Sequence, residues 1–250
     1  MIDLHCHVLP GLDDGPGTMP AAIAMAAAAA AAGTSAMTGT PHIDHRWRVR
    51  PAAIPQRAAA LRETLREQAI DLQILTGGEI ALSRLVDLSP EELSTVRLGD
   101  GPYLLIEAPL DSAAGDFDAL ISRIADRGES IVLAHPERSP LFQQQPERLA
   151  ALVDEGVLCS VTTGALRGDF GQLVRRFTIE LLREGLVHDV ASDAHDHLHR
   201  PPGLQGALDD VEADLPGIAA QREWLTNLAP AAILEGQPLP PRPALGAMVE

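Results

Sequence analysis

Met1-Ile2-Asp3-Leu4-His5-Cys6-His7 opens the chain, and its two histidines organise the reading of everything after them. Side chains of an extended segment alternate, so His5 and His7 share one face and Cys6 points the other way. Near the far end, Ala191-Ser192-Asp193-Ala194-His195 repeats that spacing with a carboxylate and an imidazole. Between them, short apolar runs end in His42, Glu79, Glu107 and His135. Seven stretches read as strands: Met1 to His5, Ser35 to Gly39, Leu72 to Leu75, Tyr103 to Ile106, Ile131 to Leu133, Val157 to Val161 and Leu186 to Ala191. Most are β-branched or Leu-rich, as expected of strands buried on both faces.

Helical patterns fill the intervals: an alanine run from Ala21 to Ala32 with Thr18 and Gly33 as caps, then Pro55 to Gln68, Phe117 to Arg127, Pro146 to Glu155 and Gln172 to Glu184. Helices are also expected over Leu204 to Leu234, before a Pro-rich tail. Repeated βα units close into a barrel or wind into a parallel sheet, and the loops after the strands then share one face. The expectation is an α/β fold, an irregular (β/α)7 barrel with its active site at the C-terminal ends of the strands. Closure would set the seventh strand beside the first and bring His5, His7, Asp193 and His195 together. With no internal repeat and no linker, residues 1–250 read as one domain.

The bulk properties exclude several partners. The chain has 250 residues, with 46% hydrophobic and 22% charged, ordinary for a soluble globular protein. A net charge of −16 argues against nucleic acid or an anionic membrane as a general partner. The N-terminus shows no signal-peptide pattern, and the alanine run is too short and too weakly apolar to span a bilayer, so no stable membrane insertion is expected. Two cysteines, Cys6 and Cys159, give no disulfide framework and suit a reducing cytoplasm. Neither has an arginine six positions on (Leu12 and Ala165 stand there), so a cysteine-nucleophile phosphatase loop is absent. Cys159 reads as a core residue.

Each polar strand end has a bland alternative. Asp13-Asp14-Gly15-Pro16 is a turn signal by itself. A carboxylate ending an apolar strand is either solvated at the rim or held by a cation. Together they amount to five imidazoles and four carboxylates, too many for one ion and suited to a cluster of two or three divalent metals. His188 reads as structural, His197 and His199 as loop residues, and Asp209, Asp210, Glu212 and Asp214 as a solvated helix face.

The set His5-x-His7, Asp13-Asp14-Gly-Pro, Thr40-Pro-His42, Gly78-Glu79, Ile106-Glu107, Ala134-His-Pro-Glu-Arg138, Gly168-Asp-Phe-Gly171 and Ala191-Ser-Asp-Ala-His195 resembles the PHP (polymerase and histidinol phosphatase) superfamily. Within it, the Asp-Asp-Gly-Pro and His-Pro-Glu-Arg stretches, the Phe-Gly pair and Arg200-Pro201-Pro202 resemble the bacterial capsule and exopolysaccharide tyrosine phosphatases, a manganese-dependent family. The resemblance covers Met1 to about Pro202. It implies a PHP-like barrel with a trinuclear Mn2+ site whose ligands are His5, His7, Asp14, His42, Glu79, Glu107, His135, Asp193 and His195. Glu79 would bridge two ions. Arg138 and Arg200 would bind substrate phosphate, and Arg138, Asp193 and His195 form the catalytic set. The implied substrate is a phosphotyrosine-containing protein, a polysaccharide-export tyrosine kinase.

The loop His45-Arg46-Trp47-Arg48, continuing to Arg50, matches nothing in the family pattern and is a candidate for substrate recognition. Two other readings stay open: a histidinol-phosphate phosphatase using the same metals, and a metal-binding regulatory PHP module without activity. The second is disfavoured because such modules lose ligands, and none is missing here.

Overall fold

The computed structural model describes residues 1–110 and 117–246. Nine strand segments occur among them: β1 (Ile2–Cys6), β2 (Ala36–Gly39), β3 (His42–Ile43), β4 (Gln73–Thr76), β5 (Glu79–Ala81), β6 (Tyr103–Glu107), β7 (Ser130–Ala134), β8 (Leu158–Thr162) and β9 (Asp189–Ala191). Every pairing is parallel. One sheet runs β1-β2-β4 and the other β3-β5-β6-β7-β8-β9.

These nine segments make seven barrel positions. β2 and β3 are halves of one strand interrupted at Thr40-Pro41, and β4 and β5 are halves of another interrupted at Gly77-Gly78. Pro41 has no N–H to give to a ladder, so pairing lapses there. The neighbouring bonds bridge the gap: Gly77 N–H donates to Gly39 O at 3.1 Å and Glu79 N–H to Pro41 O at 3.1 Å. Gly77 is required by close approach, because a Cβ there would lie 2.9 Å from Leu98 Cδ2 and 3.2 Å from the methyls of Thr38 and Thr40. The wall then closes on itself. Cys6 and Ala194 form a parallel bridge, with His7 N–H donating to Ala194 O at 2.8 Å and Asp193 N–H to His5 O at 2.9 Å. The expected seven-position barrel is therefore present, and its second and third strands run further than the sequence suggests because each resumes after its break.

Register sorts the two faces. Glu79, Leu105, Val132 and Leu158 lie side by side across β5 to β8, so they share a face. Leu105, Val132 and Leu158 belong to a compact interior cluster with Leu4, Leu98, Ala134, Ile233 and Leu234. Their alternating neighbours Leu104, Ile106, Leu133, Cys159, Val161 and Val190 join the larger core formed with the helices. The interior is thus filled below with aliphatic side chains and left polar above, where the strands end.

The outer layer comprises α1 (Met19–Ala31), α2 (Ala53–Glu67), α3 (Pro90–Thr95), α4 (Phe117–Ala125), α5 (Pro140–Gln144), α6 (Pro146–Asp154), α7 (Thr163–Arg167) and α8 (Gln172–Arg183), with α9 (Ala229–Glu235) near the C-terminus. Thr18 caps α1 by accepting from Ala21 N–H at 3.4 Å, and Gly33 follows its end with φ +83°. Alanine serves α1 by closeness rather than amphipathicity, since Ala22, Ala26 and Ala29 are buried and small.

The helices expected over 204–234 are mostly absent. Residues 209–211 and 218–221 are single tight turns, and Trp224–Leu228 is a wide π-turn leading into α9. Gly206, at φ +84°, and Pro216-Gly217, with Gly217 at φ +87°, break any continuous helix. The acidic run there is no solvated helix face: Glu212 accepts from Gly217 and Ala219 N–H, while Asp214 pairs with Arg175 and Asp209 with Arg222. α9 is tied to the strand base through Asp100 N–H, which donates to Leu234 O at 3.1 Å. Residues 111–116 and 247–250, part of the expected single domain, lie outside the described residues.

Leu105 is fully buried at the centre of the interior cluster. Leu105→Ala should destabilise the protein by about 2–5 kcal/mol, the range for such cavities. Denaturant unfolding of parent and variant measures it.

Candidate metal centre

His5, His7, Asp14, His42, Glu79, Glu107, His135, Asp193 and His195 converge at the C-terminal ends of the strands. They form four overlapping sets of donors, each within 4.8 Å: His7, Asp14, His42 and His195; His5, His7 and Asp193; His5, Glu79 and His135; and His42, Glu79 and Glu107. The fold explains the aim of each. His5 rides on β1 and Glu79 opens β5, both with side chains on the barrel's interior. Glu107 ends β6 on the same face.

His135 and Asp193 follow their strands in left-handed backbone, at φ 37° and 51°. Such conformations cost on the order of 1–3 kcal/mol for ordinary residues. Here each is held by its own N–H, from His135 to Ser160 O at 2.8 Å and from Asp193 to His5 O at 2.9 Å. The strain follows from placing these two side chains in the pocket where their strands end.

Glu79 is the hub. Its Oε1 lies 2.8 Å from His135 Nε2, and its Oε2 lies 2.8 Å from His42 Nδ1, 3.4 Å from His7 Nε2 and 3.5 Å from His5 Nε2. Asp193 Oδ1 faces the same two rings, 3.6 Å from His5 Nε2 and 3.5 Å from His7 Nε2. On the outer side, Asp14 Oδ1 lies 3.5 Å from Nε2 of both His42 and His195.

Two observations test whether these donors suit divalent cations. His5 Nε2 and His7 Nε2 sit only 3.3 Å apart, both turned toward the same carboxylate oxygens. His195 Nε2 is buried with no hydrogen-bond partner, and Glu79 Oε2 faces three imidazole nitrogens at once, at 2.8, 3.4 and 3.5 Å. Nitrogen and oxygen lone pairs of several side chains converging on one buried point are what a cation satisfies. The residues fit. Without cations, protons must balance the charge. Burial opposes ionising His7, yet hydrogen bonds to Asp13, Asp193 and Glu79 hold its pKa well above the usual imidazole range. Burial and the neighbouring Glu79 push Glu107 up to about 7.

Several contributors were not legible as functional residues. Asp13 read as turn chemistry beside Asp14. Its carboxylate lies 2.6 Å from His7 Nδ1 and accepts from His42 N–H and Gly15 N–H at 3.0 Å each. It therefore orients His7 with Nε2 toward the cluster, a carboxylate–imidazole arrangement that also raises ligand basicity. Gly15 allows this turn because a Cβ there would lie 2.1 Å from His7 O. Asp3 is fully buried and accepts from Ser192 N–H at 2.9 Å and Ser192 Oγ–H at 2.5 Å, fastening the first strand to the segment before Asp193. Its spacing two residues before His5 was the available signal. Buried Glu137 accepts from Thr162 N–H and Oγ1–H at 2.9 and 3.0 Å, bracing the turn before Arg138.

Two arginines meet one carboxylate at the mouth. Arg138 Nη1 donates to Asp193 Oδ2 at 3.1 Å, and Arg200 Nη2 donates to the same oxygen at 2.7 Å and to Asp193 O at 3.1 Å. Their side chains are 23% and 40% exposed, so donors remain for a ligand. A cavity of about 290 Å³ joins them to Asp14, His42 and His195, and Arg46 and Trp47 line it too. The unmatched loop after His42 thus reaches the site.

His199 does not join the cluster; its side chain is 86% exposed. His188 accepts from Cys159 N–H and packs near Trp224, a structural place as expected. Both cysteines are free and buried, and burial pushes Cys6 well above the usual thiol range and Cys159 beyond it, so neither supplies a thiolate.

Residues 1–234 match the family described as capsular polysaccharide synthesis, CpsB/CapC. The chain is 34% identical over 215 residues to the tyrosine-protein phosphatase YwqE of Bacillus subtilis, covering 86% of this chain and 85% of that protein. It is 30% identical over 235 residues to the tyrosine-protein phosphatase CpsB of Streptococcus pneumoniae, covering 91% and 96%. A crystal structure from work on YwqE and CpsB, there described as unique metal-dependent tyrosine phosphatases, superimposes with a TM-score of 0.85 at 33% identity, over 98% of this chain and 99% of the other.

The orienting role of Asp13 gives a direct expectation. Asp13→Ala should leave the barrel folded by circular dichroism and weaken metal binding about 10- to 100-fold, the usual cost of losing such a partner. Titration of metal-stripped protein with Mn2+ measures it.

Proposed function

Because the chain belongs to the CpsB/CapC family of capsular polysaccharide synthesis, and is a metal-dependent tyrosine-protein phosphatase, we propose that its nine converging side chains are the ligands of a manganese cluster. The observation that carries this reading is the convergence of nine His, Asp and Glu side chains in overlapping donor sets, with Glu79 Oε2 and the Nε2 atoms of His5 and His7 all within 3.5 Å of one another. Five imidazoles among the donors favour Mn2+ over Mg2+, which prefers an all-oxygen shell. When bound, divalent ions supply positive charge for a phosphate dianion and make water acidic enough to act as a nucleophile near neutral pH.

The chain's own residues do the rest. Arg138 and Arg200 converge from opposite flanks, and their planar forks pair phosphate oxygens while the mouth stays open to the rest of the substrate. Asp193 holds both guanidiniums through one oxygen, so they stand ready before substrate arrives. Its other oxygen faces the His5 and His7 rings, which leaves Asp193 as an orienting ligand rather than a proton donor. A tyrosine leaving group, with a pKa near 10, departs with little protonation. The proposed physiological substrate is the phosphorylated tyrosine segment of a polysaccharide-export kinase. The overall charge of −16 does not prevent binding, because the field at the mouth is set by the ions and two arginines. Among the described residues no helix is long and apolar enough to cross a membrane. The two free, buried cysteines support a reducing cytoplasm.

Chelation should abolish hydrolysis of a phosphotyrosine peptide, and reloading with Mn2+ should restore it better than Mg2+, with histidinol phosphate turned over poorly. Full turnover by protein shown metal-free by elemental analysis would overturn the proposal. Arg138→Ala should keep its metal and lose on the order of a hundredfold in kcat, as for removal of one charge-stabilising donor. Arg138→Lys should recover part of that, since a point charge lacks the fork. Kinetics and metal content on the same preparations check both.

A further inference from the structure

We propose that the cavity beside the metal centre, walled by Phe170 and Leu198, is an aryl subsite that receives the phenyl ring of the substrate phosphotyrosine; this rests on the phosphatase reading above. The cavity holds about 500 Å³ and shares Asp193 and Arg200 with the metal pocket, so the two adjoin across those side chains. Phe170 and Leu198 are 37% and 69% exposed, and both line it. Single exposed apolar side chains are ordinary. Two that wall the same cavity, beside the arginines assigned to phosphate, are not explained by the core. Two other phenylalanines show what core use looks like: Phe117 and Phe142 are buried edge to face against each other.

Phe170 is also held in place. It sits in the turn between α7 and α8, where Asp169 N–H donates to Gly164 O and Gly171 N–H to Gly168 O, both at 2.9 Å. Its ring rests on the bare backbone of Gly164, where a Cβ would come within 3.0 Å of Phe170 Cε2. The Arg138 guanidinium carbon stands 4.4 Å from the ring centroid.

That distance selects the occupant. A phosphate paired with Arg138 would be held by the guanidinium that stands over the Phe170 ring, and in an aryl phosphate a single oxygen joins phosphorus to the phenyl ring. The phenyl group therefore reaches the Phe170–Leu198 wall while the phosphate stays on the arginines. An alkyl phosphate such as phosphoserine brings no ring to that wall. The subsite adds binding for the aromatic half of the substrate and leaves the phosphate half unchanged, so it acts as a specificity determinant.

The test compares Mn2+-loaded parent, Phe170→Ala, Phe170→Trp and Leu198→Ala for kcat and KM on a phosphotyrosine peptide and for inhibition by inorganic phosphate, which has no ring. Phe170→Ala should raise KM about five- to tenfold, the usual worth of an aromatic pair, with the phosphate inhibition constant and metal content unchanged. Phe170→Trp should stay close to the parent. Leu198→Ala, at an exposed loop position that any fold tolerates, should raise KM about two- to threefold for the apolar area lost. An unmoved KM in both alanine variants overturns the subsite. So does a KM rise matched by an equal rise in the phosphate inhibition constant, which would make Phe170 a prop for Arg138. A parent inert toward the peptide but fully loaded with metal overturns the phosphatase reading itself, and the subsite with it.

Discussion

The pairing of the first strand with the segment after the last one is the constraint on which the site depends. Two hydrogen bonds make it, from His7 N–H to Ala194 O and from Asp193 N–H to His5 O, and Asp3 reinforces it through Ser192. These bonds join residues nearly two hundred positions apart. Closure of that kind is costly in loop entropy and comes only once the intervening βα units are in place. What it secures is functional: both ends of the seam are polar, and the seam interleaves His5 and His7 with Asp193 and His195. An open parallel sheet of the same strands would leave those pairs at opposite edges. The barrel is therefore the condition for a multinuclear site, and the aliphatic plug of Leu105, Val132 and Leu158 beneath it keeps the polar layer at the strand ends.

Much of this was legible in the sequence because period-two spacing survives in any extended segment. His5-x-His7 and Asp193-x-His195 had to present their side chains on one face each, and parallel βα order had to put the strand ends together. Glu79 and Glu107 were readable for the same reason, as charges ending apolar runs. The broken strands were less readable. Thr40-Pro41 and Gly77-Gly78 look like strand exits, and only the bonds from Gly77 to Gly39 and from Glu79 to Pro41 show that pairing resumes beyond them. The region after Leu204 misled for another reason: its apolar content suited helices, but Gly206 and Pro216-Gly217 divide it into turns that bury side chains without helical periodicity.

Residues that act through others were the hardest to see. Asp13 is adjacent to Asp14 and shares its turn signature, yet one carboxylate faces the ring nitrogens at the open mouth and the other braces the buried edge of His7. No local pattern separates those roles, because the difference is a direction set by the turn at Gly15. Glu137 is hidden in the same way, and Asp3 is marked only by its spacing from His5: each is a buried carboxylate whose partner, Thr162 or Ser192, arrives from a distant part of the chain. Burial pushes Glu137 up to about 7 and Asp3 up to about 6, the latter against the pull of its bonds to Ser192. Asp3 tolerates the interior because both of its oxygens accept from Ser192, and Glu137 because one oxygen accepts twice from Thr162, whereas the carboxylate of Glu79 faces a ring of imidazole nitrogens. That contrast, within one barrel and at similar burial, distinguishes a structural carboxylate from one arranged for a cation.

Asp193 couples the two halves of the site. It is buried, strained in backbone, and bonded on one oxygen to two guanidiniums while the other oxygen faces two imidazoles. A carboxylate so placed transmits any change in the charge on one side to the other. A cation held by its Oδ1 would act on the same carboxylate that fixes Arg138 and Arg200 through Oδ2. Metal and phosphate binding would then be coupled through one side chain, and any such coupling is reciprocal. In a chain of net charge −16, two arginines held side by side on one buried carboxylate mark the place where a phosphate dianion would be received.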